Sequence, residues 1–456
     1  MNDNLFIDKT MAEIHTGFKE KTLDPLDVAR ACITRVKKFE ERYKAWVVFD
    51  EERLLEQAKE TVKRLKKGSA IRPLEGIPIG IKDIYNTVDF PTQMGSPIWK
   101  DFTPGNDARV VYYLKQAGGL IPGKTVTAEF AVHTLDKTLN PHDDKLTPGT
   151  SSSGSAVAVA LGMAPAALGT QTAGSIVRPA SFCGVYGCKP SFGLIPRTGM
   201  LKTTDSLDTI GFFTARFVDL ARVFDVIRIH GPNYPFSYRA FHDRPRQQKP
   251  DNRPWRVGLI RTHTWKHAEA YAQKALLDWS KKLSTDGQID IIEAELPEEM
   301  TRAHEVHGTI YDKTLSYYFK EEFKKAELVS PIMNEIIQRG NRVSVDQYQQ
   351  ALRDQETLCH VMDAFTSRFD AMISLSTAGE APLRHVVEKP DPALMWTMTH
   401  LPVISAPVFV SPNGLPFGAQ LISRRYNDPL LFQFASYLHA NDHIPACMNP
   451  IATAVK

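Results

Sequence analysis

Two serines and one lysine are the residues of this sequence whose types and spacing suggest catalysis. Ser151 lies in a run of three serines, Ser175 follows it 24 positions later, and Lys82 ends an apolar run at residues 77–81. A serine hydroxyl becomes a strong nucleophile when a neighbouring base takes its proton. A lysine that loses its charge in an apolar environment is such a base. These three residues could therefore carry out nucleophilic catalysis.

The segment between the two serines is predicted to bring them together. Residues 153–162 favour a helix that Gly162 can end, and residues 166–170 favour a strand. Ten helical residues advance about 15 Å, and five strand residues return about 16 Å. Ser151 and Ser175 are therefore expected at the same end of one layer. The residues also permit a simpler interpretation, in which small side chains only let the helix pack closely against a sheet.

Lys82 is expected to enter the protein interior because the preceding residues read as a strand. Burial disfavours the charged form of a lysine and lowers its pKa, and a neutral amine can act as a general base. The next residue, Asp83, points to the opposite face of a strand and need not keep Lys82 charged. The alternative is an ordinary surface lysine whose amine reaches solvent.

Short apolar runs that alternate with helix-like segments predict an α/β protein. Residues 10–67 are expected to be helical, with a helix start near Asp24, and residues 231–254 form an exposed, Pro- and Arg-rich connection. The other predicted elements are strands at 76–82, 120–121, 257–260, 289–292, 371–375 and 403–410, and helices at 108–116, 267–283, most of 298–367 and 430–439. The expected fold is a single large domain with a mixed β-sheet core covered by helices on both faces.

The composition argues against several classes of protein. The chain has 456 residues, 43% hydrophobic and 23% charged, with a formal net charge of +3. That charge is too small to favour nucleic acid or membrane partners. Five scattered cysteines do not read as a disulfide framework, and residues 1–10 lack the apolar core of a signal peptide. These two features predict a cytoplasmic protein. No His, Cys and carboxylate cluster has convincing ligand spacing, so we expect no metal, and no cofactor is expected either.

Two further motifs resemble binding sites without their structural context. Residues 118–125 match the Gly-Lys-Thr pattern of a phosphate-binding loop, but the sequence predicts a preceding helix where such a loop needs a strand. Residues 304–307, His-Glu-Val-His, are one residue too short for a zinc-binding HExxH motif. We expect His304 and His307 to be an ordinary pair on a helix surface.

Seven segments together resemble the amidase signature family. They are GIPIGIKD (76–83), PGTSSSGS (148–155), TAGSIVRPA (172–180), CGVYGCKPSFG (183–193), SLDTIG (206–211), LPVISAP (401–407) and PNGLPFGAQL (412–421). Several independent motifs in the right order are far more specific than any one of them. The resemblance divides one domain over residues 1–456 into an N-terminal helical part (1–67), a signature core (70–215), a variable and mostly helical part (231–367) and C-terminal core segments (370–440).

The resemblance implies a Ser–cis-Ser–Lys triad in an α/β/α sandwich. By position, Ser175 is the nucleophile, Ser151 the bridging serine after a cis peptide bond, and Lys82 the base. The backbone N–H groups of Thr172, Ala173, Gly174 and Ser175 correspond to the oxyanion hole of the family. The implied enzyme is a monomeric or homodimeric amidase that takes a small amide-like substrate, such as an aryl amide, carbamate or urea, with ester or urethane cleavage as a side activity.

Three residues near the triad depart from the common family pattern. Thr150 stands where glycine is frequent, and a cis bond before Ser151 costs about 3–4 kcal/mol without proline. Gln171 replaces a common Asp, and Arg178 lies one position later than the usual Arg. We hypothesise that the Gln171 amide holds backbone groups of the loop directly and that Arg178 points outward.

A second function is compatible with the same motifs. The transamidating subunit of the tRNA-dependent amidotransferase has similar signature segments and works with partner proteins. That group usually carries Met-Gly-Ser-Ser after Glu-Phe-Ala, whereas this chain reads Glu129-Phe-Ala-Val-His-Thr. The departure favours a free-standing hydrolase, and the intact triad positions argue against a degenerate binding scaffold.

Overall fold

The computed structural model describes residues 4–231 and 234–448. Residues 1–3 of the predicted N-terminal helical part and residues 232–233 of the predicted connection lie outside these ranges, as do residues 449–456.

The described residues form one eleven-stranded sheet with the spatial order β1-β3-β2-β4-β6-β5-β10-β11-β9-β7-β8. The strands are β1 (Trp46–Phe49), β2 (Ile79–Lys82), β3 (Gly123–Thr125), β4 (Ala166–Gln171), β5 (Tyr186–Lys189), β6 (Thr209–Thr214), β7 (Trp255–Ile260), β8 (Ile289–Ala294), β9 (Ala371–Leu375), β10 (Val403–Val410) and β11 (Pro416–Ile422). Strands β3, β2 and β4 run parallel to one another, as do β9, β7 and β8, while the central pairs are antiparallel. The sheet is therefore mixed, as predicted.

Helices cover both faces of the sheet, which confirms the predicted fold class. They are α1 (Leu5–Asp8), α2 (Met11–Glu20), α3 (Pro25–Tyr43), α4 (Glu51–Lys66), α5 (Arg109–Gln116), α6 (Ser153–Ala160), α7 (Val177–Cys183), α8 (Asp219–Ile227), α9 (Pro235–Phe241), α10 (Ala270–Ser284), α11 (Ala303–Tyr318), α12 (Pro331–Arg342), α13 (Val345–Thr366), α14 (Leu394–Met398) and α15 (Asp428–Ala440). Short 3-10 helices lie at Pro97–Trp99, Glu129–Ala131, Arg244–Gln247, Trp265–His267, Glu298–Arg302 and Glu322–Leu328. Among the described helices, none is long and apolar enough to cross a membrane.

The parallel pairing of β2 with β4 places two functional segments at one edge of the sheet. Ile79 pairs with Ala166 and Gly80 with Ala167, so the two strands begin side by side and run in the same direction. The carboxyl ends of parallel strands are where α/β folds usually build their sites. Lys82 ends β2, and the loop after β4 carries Ser175. The fold thus brings together segments that are about 90 residues apart in sequence.

The predicted path between Ser151 and Ser175 is confirmed. Helix α6 is entirely buried, Gly162 ends it with a φ of +63°, and β4 returns along the sheet. A positive φ strains residues with a Cβ, which explains why glycine serves at this turn.

Other predicted elements are confirmed or corrected by the pairing of strands. The strands at 371–375 and 403–410 lie where they were expected, and residues 298–367 are mostly helical. Residues 10–67 also contain β1, and the strand predicted at 120–121 is a single bridge from Leu120 to Pro78, with β3 following it. The connection at 231–254 contains α9. A strand of three or four residues is too short to show the alternation of apolar and polar residues that predicts a strand. Whether such a segment forms a strand depends on the neighbouring strand that pairs with it.

Candidate active site

Lys82 is completely buried at the end of β2 and makes three hydrogen bonds to hydroxyl groups. Its Nζ lies 2.8 Å from Ser151 Oγ, 3.0 Å from Ser152 Oγ and 2.9 Å from Thr170 Oγ1. All three partners are neutral, so the amine is satisfied without an ion pair. The alternative of a surface lysine is excluded.

Burial lowers the pKa of Lys82 to about 7, and the carboxylates of Asp208 and Asp136, which do not contact the amine, oppose this shift. The adjacent Asp83 instead lies 3.0 Å from Lys124 Nζ. The two side chains of the Lys82-Asp83 pair therefore serve different sites, as the alternation along a strand predicts. A large fraction of Lys82 is neutral near neutral pH.

The Thr150–Ser151 peptide bond is cis, as the resemblance implies. Arg178 Nη2 donates a hydrogen bond of 2.9 Å to the Thr150 carbonyl. The preceding Gly149 has a φ of +82°, and a Cβ on it would lie 2.9 Å from the Pro179 Cα. The cis bond is thus packed against the first turn of α7, and glycine is required for that close approach.

Ser175 lies in the loop between β4 and α7 and is 5% exposed. Within the described residues its hydroxyl makes no hydrogen bond to Ser151 or to Lys82. The structure therefore joins the predicted base to the predicted bridging serine, and it leaves the Ser175 hydroxyl without a fixed partner.

The Gln171 amide binds backbone groups at the end of this loop, which confirms the hypothesis that Gln171 holds the loop directly. Its Oε1 accepts hydrogen bonds from the backbone N–H groups of Ile176 at 2.8 Å and Val177 at 3.0 Å. Its Nε2 donates to Thr397 Oγ1 at 2.9 Å. One neutral side chain thus satisfies the first N–H groups of α7, which have no partner inside the helix.

The expectation that Arg178 points outward is wrong. The side chain is buried, and its Nη1 lies 2.8 Å from a Glu388 carboxylate oxygen and 3.3 Å from Asp391 Oδ2. Both acids come from a segment that lies against α7 and was assigned only to the C-terminal core. Since these partners follow Arg178 by more than 200 residues, local sequence could not reveal them.

The loop presents several unpaired backbone donors. In the described part of the chain, the N–H groups of Thr172, Ala173, Gly174 and Ser175, which the resemblance assigns to the oxyanion hole, have no hydrogen-bond acceptor. Unpaired N–H groups that are nearly buried are costly unless a ligand or water uses them. The Thr172 side chain is held separately, because its Oγ1 donates to Asp208 Oδ1 at 2.8 Å.

A cavity of about 630 Å³ opens beside the cis bond and this loop. Thr150 and Ala173 form one wall, and His307 and Tyr311 of α11 form another. His307 is buried, so its expected place on a helix surface is wrong. The sequence indicated His307 only as part of the His-Glu-Val-His segment and Tyr311 only as one of several aromatic residues that could line a pocket, because α11 contains none of the family motifs.

The other candidate motifs have structural explanations. Lys124 is buried in β3 and paired with Asp83, and no α-helix begins at the Lys-Thr pair, so residues 118–125 are not a phosphate-binding loop. In the ranges 4–231 and 234–448, no three His, Cys, Asp or Glu side chains come together as a metal site would require. All five cysteines are free thiols.

Comparison with known proteins agrees with the geometry. A family model described as Amidase matches residues 27–432. The chain belongs to the amidase family. As an amidase-family member, it is related to enzymes that cleave amide C–N bonds.

Two sequence relatives illustrate how far the similarity of this amidase-family chain extends. A glutamyl-tRNA(Gln) amidotransferase subunit of Heliobacterium modesticaldum is 29% identical over 479 aligned positions, which cover 94% of this chain and 95% of that protein. The corresponding subunit of Chloroflexus aggregans is 39% identical over 229 positions, which span about half of each chain, 49% of this one and 47% of the relative.

Solved structures share the fold. A structure described as an amidase superposes with a TM-score of 0.85 at 24% identity and covers 95% of this chain and 100% of its own. A peptide amidase from Stenotrophomonas maltophilia superposes with a TM-score of 0.83 at 24% identity, covering 96% and 98%. At this level of identity the likeness establishes the fold.

Proposed function

We propose that this protein hydrolyses the C–N bond of a small carboxylic amide through an acyl-enzyme on Ser175. The observation that carries the proposal is the buried Lys82 amine, which contacts Ser151 and only neutral hydroxyls and whose pKa is lowered to about 7. An amine with that pKa can take and return a proton near neutral pH.

The proposed reaction begins with attack of Ser175 Oγ on the amide carbonyl carbon. The Ser175 proton passes to Ser151 Oγ, whose own proton passes to the neutral Lys82. Catalytic hydrogen bonds often tighten only when substrate is bound, and the Ser175 hydroxyl has no competing partner in the described residues. Collapse of the tetrahedral intermediate breaks the C–N bond, and the same relay returns the proton to the leaving amine. Water then attacks the acyl-enzyme with the relay again as base, which releases the carboxylic acid.

The unpaired backbone N–H groups of residues Thr172, Ala173, Gly174 and Ser175 support a role as oxyanion hole. Such donors stabilise the negative charge that develops on the carbonyl oxygen, and loss of one typically costs about 100- to 1,000-fold in kcat. Because these N–H groups have no acceptor among the residues that the structure describes, no hydrogen bond there must break when the oxyanion forms.

The substrate class is tested with a panel of aryl amides, primary amides, carbamates, ureas and esters. We expect amide cleavage by the purified chain without added metal or cofactor. A fluorophosphonate should attach to Ser175, as located by peptide mass spectrometry, and should not attach to the Ser175→Ala variant. Labelling that persists in Ser175→Ala, or no cleavage of any acyl compound by a folded protein, would overturn the proposal.

The amidotransferase subunits among the relatives favour a second candidate function. The aligned proteins are named as subunits of a glutamyl-tRNA(Gln) amidotransferase, and one alignment covers nearly the whole chain. In that case the same triad would release ammonia for a partner protein. Activity of the isolated chain on simple amides favours the hydrolase, whereas glutamine cleavage that appears only with added partner proteins favours the amidotransferase.

A further inference from the structure

We propose that His307 is a positioning residue that aims the oxyanion donors of the Ser175 loop. This inference rests on the proposed hydrolase function and concerns a residue outside the family motifs. The His307 Nε2–H donates a hydrogen bond of 2.8 Å to the Thr172 carbonyl, across 135 residues of sequence. It is therefore a long-range contact between helix α11 and the catalytic loop.

Each of three successive carbonyl groups in the loop has its own donor. His307 holds the Thr172 carbonyl at 2.8 Å. Thr397 Oγ1 holds the Ala173 carbonyl at 2.7 Å. The backbone N–H of Arg178 holds the Gly174 carbonyl at 2.8 Å. The loop is thus fixed through its carbonyl groups, while the following N–H groups have no acceptor in the described residues.

Peptide planarity turns these carbonyl contacts into orientation of the donors. In a trans peptide the C=O of one residue and the N–H of the next lie in one plane and point in opposite directions. Anchoring the Thr172 carbonyl on His307 therefore directs the Ala173 N–H to the opposite side. In the same way, the anchors of the next two carbonyls direct the N–H groups of Gly174 and Ser175. Preorganised donors of this kind need no reorganisation when charge develops.

His307 is suited to this task because it is rigid and buried. The side chain is 5% exposed, and its ring stacks on Tyr311 with centroids 5.5 Å apart. Burial lowers the pKa of His307 and so favours the neutral ring. The contact with a carbonyl requires the Nε2–H tautomer, which is a donor at that position.

His307 is also the anchor whose removal gives the clearest result. The Arg178 N–H contact is part of the first turn of α7 and cannot be removed by changing a side chain. Thr397 also accepts the hydrogen bond of Gln171, so its loss disturbs two contacts. In the described residues, the hydrogen bond of His307 to this loop is the one to the Thr172 carbonyl.

The test compares His307→Leu, which removes the donor, with His307→Gln, whose amide nitrogen can replace Nε2. We expect His307→Leu to lower kcat by about 10- to 100-fold and to change KM by less than about threefold. This loss of kcat is smaller than the loss caused by removing an oxyanion donor outright. His307→Gln should recover most of that loss. An aldehyde that forms a tetrahedral adduct on Ser175 should lose affinity in parallel with kcat, whereas a non-reacting amide analogue should not.

A matched control is available in His15, another buried histidine whose Nε2 lies 2.9 Å from a backbone carbonyl, that of Glu75. His15→Leu should lower the thermal stability as much as His307→Leu and leave kcat unchanged. An unchanged kcat in His307→Leu, or an equal loss in the Gln and Leu variants, overturns the inference. A different result would contradict the proposed function: a wild-type protein that cleaves no amide and is not labelled on Ser175.

Discussion

Two lysines on neighbouring strands of this protein are equally buried and have different surroundings. Lys82 ends β2 and Lys124 lies in the parallel β3, one residue apart in register, and neither side chain is exposed. Lys124 Nζ lies 3.0 Å from the Asp83 carboxylate and 2.9 Å from the Tyr85 carbonyl. Lys82 Nζ has three hydroxyl partners and, within residues 4–231 and 234–448, no carboxylate in contact.

The difference shows that the chemical type of the partners, and not burial alone, decides what a lysine can do. A carboxylate stabilises the ammonium form strongly, so Asp83 opposes the loss of the Lys124 proton that burial favours. A hydroxyl can donate to a neutral amine or accept from an ammonium, so it supports both protonation states of Lys82. Lys82 is therefore suited to proton transfer, and Lys124 is suited to holding the strands together.

The largest effect is expected when the proposed base is removed. Lys82→Met should lower kcat by about 100- to 10,000-fold, the usual contribution of a general base, or more, because members of a triad act as a unit. The protein should remain folded by circular dichroism. A variant with near-normal kcat at neutral pH would contradict the assignment of Lys82 as the base.

The second prediction concerns stability and should separate the two lysines. Lys124→Met leaves the buried Asp83 without its partner and should lower the free energy of unfolding by about 3–5 kcal/mol. The double variant Lys124→Met/Asp83→Asn should recover at least half of that loss. Lys82→Met leaves no charge without a partner and removes an amine whose pKa burial lowers to about 7. The variant should therefore be as stable as the wild type at pH 7, or up to about 4 kcal/mol more stable. Equal losses in chemical denaturation for the two single variants would refute the contrast.

The stability of the wild-type protein should also depend on pH through Lys82. In the folded state its pKa is about 7, and in the unfolded chain a lysine has a pKa of about 10.4. Between these values the unfolded state binds more protons, so this group makes stability rise with pH. The stability advantage of Lys82→Met should therefore be largest at or below pH 7 and shrink toward pH 10. An advantage that stays constant from pH 7 to 10 would argue against a neutral Lys82.

The fourth prediction gives Lys82 the type of partner that Lys124 has. The acid limb of kcat in the wild type should lie near pH 7, because activity is lost as Lys82 gains a proton. Thr170→Asp places a carboxylate beside the amine and should move this limb upward by about 1–3 pH units. Activity should then be low at pH 7 and return at pH 9–10, while Thr170→Asn keeps the original limb. A limb that does not move would show that another group controls the pH profile.

The smallest expected effect is none. EDTA should leave kcat unchanged, because the proposed relay and oxyanion donors are all protein groups. Loss of activity that one specific divalent ion restores would assign part of the catalysis to a metal, and the contrast between the lysines would then explain less of it.

The sequence by itself indicated the family, the α/β class and the residues Lys82, Ser151 and Ser175. It also located the helix and strand that bring the two serines to one edge, because their lengths match. The support by the Gln171 amide could be proposed as well, since an amide offers both a donor and acceptors for nearby backbone groups. All these inferences depend on short stretches of chain, where spacing and residue type limit what can form.

Only the tertiary structure decided which distant groups meet. The ion pair of Arg178 with Glu388, the contact of His307 with the Thr172 carbonyl and the three hydroxyl partners of Lys82 each join separate segments. Strand β1 likewise forms because β3 offers it a partner. Burial and hydrogen-bond partners are properties of the assembled fold, and they determine whether a lysine in the sequence is a base or one half of an ion pair.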